Sequence, residues 1–323
     1  MGLFDYLLFT DNVFFVGIIL LGGFILGLFF LVKGSDVFID GVASIAKRHG
    51  ISEHTIGLTL VAFATSLPEL AVSAYASATS RSDIAVGNVV GSNVANICLV
   101  LGVSILIMKL KTSKDVRRNT GYMIGVTALL YLFILTSMRL TRLEGGIFLA
   151  IYALFLYHLF KYSEEVELEI DLERKELKAE EKKDVFFIVA GALGVTFGAN
   201  LLVDSAVEMA HRVGISELII GLTIVSVGTS LPELASSAMA AKKGKHGISI
   251  GNVIGSNIIN IVLVLGLVAL INPVDVKTEV SHVSMPMLMF LSVLMLIFVR
   301  KDLKKGLGIF LLAMYAVFMY LLI

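Results

Sequence analysis

The sequence predicts an all-α membrane protein with ten transmembrane helices, arranged as two inverted repeats of five helices each. Composition is the first observation behind this prediction. The 323 residues are 57% hydrophobic and only 16% charged, whereas soluble domains are about 45–50% apolar and about 25% charged. The second observation is a block of motifs that recurs along the chain at a constant offset of 164 residues. This composition excludes a soluble enzyme.

Ten apolar runs are long enough to cross a membrane, for which a helix needs about 20 residues. The first run follows an acidic rather than a basic N-terminal stretch, so we interpret it as a span and not as a signal peptide. The predicted spans cover residues 13–46, 56–80, 84–108, 119–138, 142–160, 185–210, 218–241, 248–271, 283–299 and 306–322.

The loops between these spans differ in basic residues, and this difference predicts the orientation. One set of loops carries 14 Lys and Arg residues and the opposite set carries five. Because basic loops remain in the cytoplasm, both termini are expected outside the cell and the charged segment 161–184 inside. Net charge is zero, with 26 basic and 26 acidic residues, so no nucleic-acid partner is indicated.

The repeat is visible in two motifs. The heptapeptide that begins at Thr65, TSLPELA, recurs from Thr229. The motif GNVVGSN at Gly87 recurs as GNVIGSN at Gly251. Both motifs recur at the same offset, so the two halves align over this region without a gap. Since each half holds five predicted spans, the second half must lie inverted in the membrane, an architecture of transporters. The predicted division is therefore residues 1–160, a linker 161–184, and residues 185–323.

Two glutamates, Glu69 and Glu233, lie inside apolar spans. A charged side chain costs at least about 2.5 kcal/mol at the centre of a membrane helix, and such residues face a cavity or hold a partner. No Lys or Arg lies near either glutamate in its span, so a metal cation is the expected partner. The preceding prolines, Pro68 and Pro232, should free backbone carbonyls one turn earlier, near residues 62–64 and 226–228.

A polar stripe follows in the next span of each half. Asn88, Ser92 and Asn96 recur at a spacing of four, which places them on one helix face, and the second half repeats them. The neighbouring glycines are expected to allow close helix packing. All these donors are oxygens, which suit hard cations such as Ca²⁺ and Na⁺ better than zinc or copper. Two carboxylates can neutralise one divalent ion, which is the basis of an exchanger.

These motifs resemble the two α-repeats of the cation/calcium antiporter superfamily, in particular the short prokaryotic sodium/calcium exchangers. The resemblance covers all ten predicted spans and implies exchange of three Na⁺ for one Ca²⁺, with the first and sixth spans sliding across a fixed core. Ca²⁺ and Na⁺ are then substrates in a cell membrane, the lipid bilayer is the only other partner, and no cofactor or protein partner is implied.

The resemblance also implies a set of ion ligands. Glutamates would bind Ca²⁺ and share central Na⁺ sites, hydroxyls and backbone carbonyls would complete the outer and inner Na⁺ sites, and amides would flank the middle position. The residues in matching positions are Glu69, Glu233, Thr65, Thr229, Ser66, Ser230, Ser92, Ser256, Asn96, Asn260, Ala62 and Ser226.

One departure from the family affects the charge of the site. Some members carry an aspartate where this chain has Asn260, so the acidic charge here stops at minus two and exchange should move charge. A H⁺/Ca²⁺ antiporter that uses the same glutamates is the nearest alternative, and a cation channel is a distant one. ATP-driven pumping is disfavoured because the chain has no GxxxxGK[ST] phosphate-binding loop.

Overall fold

The protein, described by a computed structural model over residues 13–78, 82–162, 174–214 and 226–322, is almost entirely helical. Some helices contain a π-helical turn and are given as consecutive segments. The helices are α1 (Val13–His49), α2 (Glu53–Ile56, Gly57–Val61, Ala62–Thr65), α3 (Leu67–Ala78), α4 (Ser82–Ala95, Asn96–Val100, Leu101–Ile107), α5 (Lys114–Ser137), α6 (Arg142–Tyr162), α7 (Arg174–Arg212), α8 (Ser226–Gly228), α9 (Leu231–Lys242), α10 (His246–Ile259, Asn260–Leu265, Gly266–Ile271), α11 (Val280–Ser284, Met285–Phe298) and α12 (Lys305–Leu322).

Within the described residues, eight helices are long and apolar enough to span a membrane, and α2 with α3 forms a ninth candidate that is bent by 46°. These helices coincide with nine of the predicted spans. The predicted span 218–241 is described only from residue 226, where α8 and α9 lie, and residues 215–225 fall outside the described part. Of the predicted linker, residues 163–173 also fall outside, and α7 begins at Arg174.

The centre of the bundle is formed by α4 and α10. In their most apolar stretches 72% and 78% of the residues are buried, against at most 44% in the six other unbroken candidate spans. Helix α2 packs on α10, while α3 and α9 pack on α4. The motifs that recur in the sequence therefore lie on the helices that meet at the centre.

The π-helical turns were not predicted from the sequence. Asn96 begins one in α4, and its repeat counterpart Asn260 begins another in α10. A third turn, Gly57–Val61, lies within α2. A fourth turn, Val280–Ser284, begins α11. π-helical turns often occur at functional sites, and two of these four begin at the last residue of a polar stripe.

Glycines bring α1 and α7 into close contact. A Cβ on Gly27 would lie 2.9 Å from the Gly198 carbonyl oxygen, and one on Gly34 would lie 3.0 Å from the Gly191 carbonyl oxygen. These four glycines form two pairs at the offset of 164 residues. The two halves thus contribute equivalent glycines to the α1–α7 contact, where backbone packs directly on backbone.

Two short antiparallel pairings lie at opposite ends of α5. At one end β1 (Arg139–Leu140) pairs with β2 (Val274–Asp275). At the other end Leu110 exchanges backbone hydrogen bonds of 3.1 and 2.9 Å with Leu303. Leu110 and Val274 are repeat counterparts, so the same connection is used once at each end of the bundle.

Candidate ion-binding site

Broken helices place the two glutamates. Helix α2 ends at Thr65, and α3 begins at Leu67 with Pro68 and Glu69 in its first turn. In the second half, Ser230 precedes α9, whose first turn contains Glu233. Proline fits the first turn of a helix, where its missing N–H is not needed. The unpaired N–H groups of that turn favour a nearby carboxylate.

Of the carbonyls near residues 62–64 that Pro68 was expected to free, the carbonyl of Ala62 is not free. The Ala62 oxygen accepts the Ser66 N–H at 3.0 Å and lies 3.4 Å from the Thr65 hydroxyl. The physical reason is that the helix ends before the proline, so the proline begins a new helix and does not interrupt the old one. A carbonyl oxygen has two lone pairs, so the Ala62 oxygen can still accept a cation.

Both carboxylates are completely buried. They are near enough to each other to interact electrostatically. Among the described residues no Lys or Arg forms an ion pair with either glutamate, so the pair has no neutralising protein charge in that part of the chain.

Hydrogen bonds join the two halves at this point. The Ser66 hydroxyl, from the first half, donates to Glu233 Oε1 at 3.2 Å. The Thr65 hydroxyl donates to Asn252 Oδ1 at 3.2 Å. The Asn252 amide nitrogen in turn donates to the Ser237 hydroxyl at 2.8 Å. Residues of both repeats therefore form the site.

Several buried polar atoms at the site have no hydrogen-bond partner within the described part of the chain. Such atoms are rare in folded proteins and call for an explanation, which an ion would supply. They are both carboxylate oxygens of Glu69, Oε2 of Glu233, both amide atoms of Asn96, Oδ1 of Asn260, and the hydroxyls of Ser230 and Ser256.

The structure brings most of the predicted ligands together at the centre of the bundle. Thr229 is only half-buried, and the side chain of Ser226 is not among those that the structure describes. The remaining ten predicted residues are buried, namely Glu69, Glu233, Thr65, Ser66, Ser230, Ser92, Ser256, Asn96, Asn260 and Ala62.

Sequence reasoning missed four supporting residues. Ser73 accepts a hydrogen bond from Asn88 at 3.1 Å, as its counterpart Ser237 does from Asn252. Asn93 donates to the backbone carbonyl oxygen of its counterpart Asn257 at 3.0 Å, so Asn257 contributes its backbone and not its side chain. Recurrence at the offset of 164 residues was the available signal for all four, but it did not distinguish a support from a ligand.

The glycine prediction is fulfilled for one half. A Cβ on Gly251 would lie 2.6 Å from the His54 carbonyl oxygen, and one on Gly255 would collide with the Leu58 carbonyl oxygen. No described residue lies within 4 Å of a Cβ built on Gly87 or Gly91. By the repeat, their partners fall in residues 218–226, most of which lie outside the described part.

Asp40 does not belong to the buried site. It is exposed and pairs with Lys243 Nζ at 2.6 Å, and Asp36 pairs with the same nitrogen at 2.8 Å. The contact joins α1 to the end of α9.

Taken together, the apolar helices define a multi-pass membrane protein, and its buried centre offers oxygen donors and two carboxylates to a cation. The chain belongs to the sodium/calcium exchanger protein family, which matches residues 19–161 and again residues 183–323.

Relatives of the same family align along nearly the whole chain. The sodium/calcium exchanger MaX1 of Methanosarcina acetivorans is 36% identical over 92% of this chain and 97% of its own. The uncharacterized membrane protein MJ0091 of Methanocaldococcus jannaschii is 34% identical over 92% of this chain and 95% of its own. A solved structure of the sodium-calcium exchanger NCX_Mj, soaked with zero Na⁺ and Ca²⁺, superposes with a TM-score of 0.83 at 32% identity, over 94% of this chain and 97% of that one.

Proposed function

We propose that this protein is a secondary antiporter that exchanges Na⁺ for Ca²⁺ at a site between its two halves. The observation that carries the proposal is the pair of completely buried carboxylates, Glu69 and Glu233, which have unpartnered oxygens and no basic partner among the described residues. Ca²⁺ takes six to eight oxygen ligands, and carboxylates, amides, hydroxyls and carbonyls are the oxygen donors present here. Family membership favours these two ions over other hard cations.

Each predicted ligand has a distinct role in this proposal. The two glutamates bind Ca²⁺ and share the central Na⁺ positions. Two threonines contribute backbone carbonyl and hydroxyl oxygens. Serine hydroxyls and two further carbonyls complete the outer and inner Na⁺ positions, and two amides flank the middle. The threonines are Thr65 and Thr229, the serines are Ser66, Ser230, Ser92 and Ser256, the carbonyls are those of Ala62 and Ser226, and the amides are those of Asn96 and Asn260.

The charge of the site makes the exchange electrogenic. Two ionised carboxylates with one Ca²⁺ give a neutral site, whereas the same carboxylates with three Na⁺ give a net charge of plus one. No third acid is available, since the position that would supply one is Asn260. Three Na⁺ leaving for each Ca²⁺ taken up therefore carries one positive charge outward.

Alternating access follows from the proposed architecture of two inverted repeats, 1–160 and 185–323, with ten spans and both termini outside the cell. The pairings at opposite ends of α5 support the inversion, because equivalent segments occur once at each end. The glycine contacts between α1 and α7 support movement of these two helices as one unit past the central helices. Inverted repeats around a fixed site are a common basis of such transport.

The decisive experiment is Ca²⁺ uptake into proteoliposomes loaded with Na⁺ and diluted into Na⁺-free buffer at clamped pH. We expect uptake only with an outward Na⁺ gradient, and acceleration when a K⁺ diffusion potential makes the interior positive. The control is the same preparation of Glu69→Gln, checked for folding by gel filtration and thermal melting.

Other outcomes separate the competing functions. Uptake that ignores Na⁺ and follows a pH gradient would assign the protein to H⁺/Ca²⁺ exchange. Flux that does not saturate and needs no counter-ion would indicate a channel. Acceleration by a negative interior would contradict the proposed stoichiometry, even if Na⁺ drives uptake.

A further inference from the structure

A chain of amide contacts crosses the boundary between the two halves. Asn93 Nδ2 donates to the backbone carbonyl oxygen of Asn257 at 3.0 Å. Asn260 Nδ2 donates to Asn93 Oδ1 at 3.0 Å. All three residues are buried, and Asn260 Oδ1 has no hydrogen-bond partner in the described part of the chain.

The backbone carbonyl fixes the orientation of the whole chain of contacts. A carbonyl oxygen can only accept, so the Asn93 atom beside it must be the amide nitrogen. The Asn93 oxygen then faces Asn260, and because this oxygen also only accepts, Asn260 must present its nitrogen to it. The orientation of Asn260 is therefore determined by chemistry, although the oxygen and nitrogen of an amide have nearly the same size.

Asn260 lies on the face of α10 that carries the polar stripe, because it follows Ser256 by four residues. The Ser256 hydroxyl on that face is also buried and has no hydrogen-bond partner among the described residues. If the Asn260 amide were turned over, its partly positive N–H groups would face the cation and repel it. The observed orientation presents the amide oxygen, which can bind a cation.

The equivalent contact is absent from the described residues of the other half. Asn257 Nδ2 donates to Val253 O in its own helix at 2.7 Å, and both amide atoms of Asn96 are unpartnered. Nothing in that part of the structure fixes the orientation of Asn96. The two amides of the site are thus unequal.

We propose that Asn93 is a positioning residue that turns the carboxamide oxygen of Asn260 toward the transported cation. The inference rests on the proposed function, because it requires Asn260 to be an ion ligand. Asn93 does not touch the ion. It removes the need for Asn260 to reorient when Ca²⁺ or Na⁺ binds, and such preorganisation strengthens binding.

A double-mutant cycle tests this proposal by equilibrium ⁴⁵Ca²⁺ binding to the purified protein in detergent. We expect Asn260→Ala to weaken Ca²⁺ binding by about tenfold and Asn93→Leu by about three- to tenfold, since one such interaction is worth about 1 kcal/mol. In the Asn260→Ala background, Asn93→Leu should change binding by less than about twofold, because the group it orients is gone.

Asn257→Leu is the matched control. It removes the same kind of side chain at the repeat-equivalent position but leaves the backbone carbonyl that anchors Asn93, so Ca²⁺ binding should stay within about twofold of the parent. If Asn93→Leu does not fold, Asn93→Ala replaces it in the same cycle. Thermal melting of every variant separates lost binding from lost folding.

Three results would overturn the inference. They are an equal effect of the Asn93 substitution in both backgrounds, unchanged Ca²⁺ binding after Asn93→Leu, and unchanged binding after Asn260→Ala. Failure of the proposed function looks different, since Glu69→Gln would then retain Ca²⁺ binding. If Glu69→Gln loses Ca²⁺ binding while Asn93→Leu binds Ca²⁺ like the parent, the proposed function is retained and only the positioning role of Asn93 is rejected.

Discussion

The two halves of this protein carry nearly the same motifs but hold their glutamates differently. Glu233 accepts a hydrogen bond from Ser66 of the opposite half at 3.2 Å. The oxygens of Glu69 and the hydroxyl of Ser230, which is the counterpart of Ser66, have no partner among the described residues. A repeated sequence therefore does not guarantee a repeated environment, because each side chain also meets the other half.

The α1–α7 contact gives the opposite lesson. In this contact the two halves are equivalent, because Gly27 packs against Gly198 and Gly34 packs against Gly191. Backbone packing depends only on the absence of a side chain, which the sequence repeats faithfully. Hydrogen bonding at the site also requires a donor and an acceptor at the right distance and angle, and of the two glutamates only Glu233 has such a side-chain contact among the described residues.

Replacement of either glutamate should have the largest effect. We expect Glu69→Gln and Glu233→Gln each to lower Ca²⁺ uptake by more than about 100-fold, since a charge at the ligand position is lost while the shape is kept. Uptake into Na⁺-loaded proteoliposomes measures this. An uptake above one tenth of the parent in either variant would show that the two carboxylates are not both ligands.

Substitution of a glycine in the α1–α7 contact should have the next largest effect. A Cβ on Gly198 would collide with the Leu31 backbone nitrogen, and such overpacking costs about 1–3 kcal/mol or more. Gly198→Ala should therefore lower the melting temperature and the transport rate. Gly22→Ala, on α1 with no atom within 4 Å of its added Cβ, is the control and should melt like the parent.

The serine pair tests the asymmetry of the site directly. We expect Ser66→Ala to weaken Ca²⁺ binding about tenfold, because a hydrogen bond to a charged group is worth about 1.5–3 kcal/mol. Ser230→Ala, with no partner to lose in the described structure, should weaken it by about threefold or less. Equilibrium ⁴⁵Ca²⁺ binding compares the two variants, and equal losses would mean that the two halves are equivalent when the ion is bound.

The smallest effect is expected where α1 meets the end of α9. Lys243 pairs with Asp36 and Asp40, whereas its repeat counterpart is the uncharged Thr79. Because exposed pairs are worth about 0–1 kcal/mol, Lys243→Met should change the exchange rate by about two- to fivefold and leave the apparent Ca²⁺ affinity unchanged.

Lys242→Met is the matched control for this pair. It removes the same charge from the adjacent, exposed position. Initial rates of uptake at low and high ionic strength provide the comparison. The idea that Lys243 ties α1 to α9 fails if both variants behave alike, or if the effect of Lys243→Met is independent of salt.

The class of the molecule and the position of its proposed site can both be predicted from the sequence. Hydropathy predicts the spans because the bilayer requires about 20 apolar residues for each helix. The offset of 164 residues reveals two related halves. Glu69 and Glu233 could be identified as site residues because a charge inside an apolar span needs a specific partner.

The support of the site, in contrast, depends on the packing of the whole chain. Pro68 does not release the Ala62 carbonyl, because one helix ends at Thr65 and a new one, with Pro68 in its first turn, begins at Leu67. The π-helical turns that begin at Asn96 and Asn260 have no simple pattern in the sequence. The orienting contact of Asn93 joins residues more than 160 positions apart. Such contacts depend on how two whole halves pack, and no local period of the sequence encodes that packing.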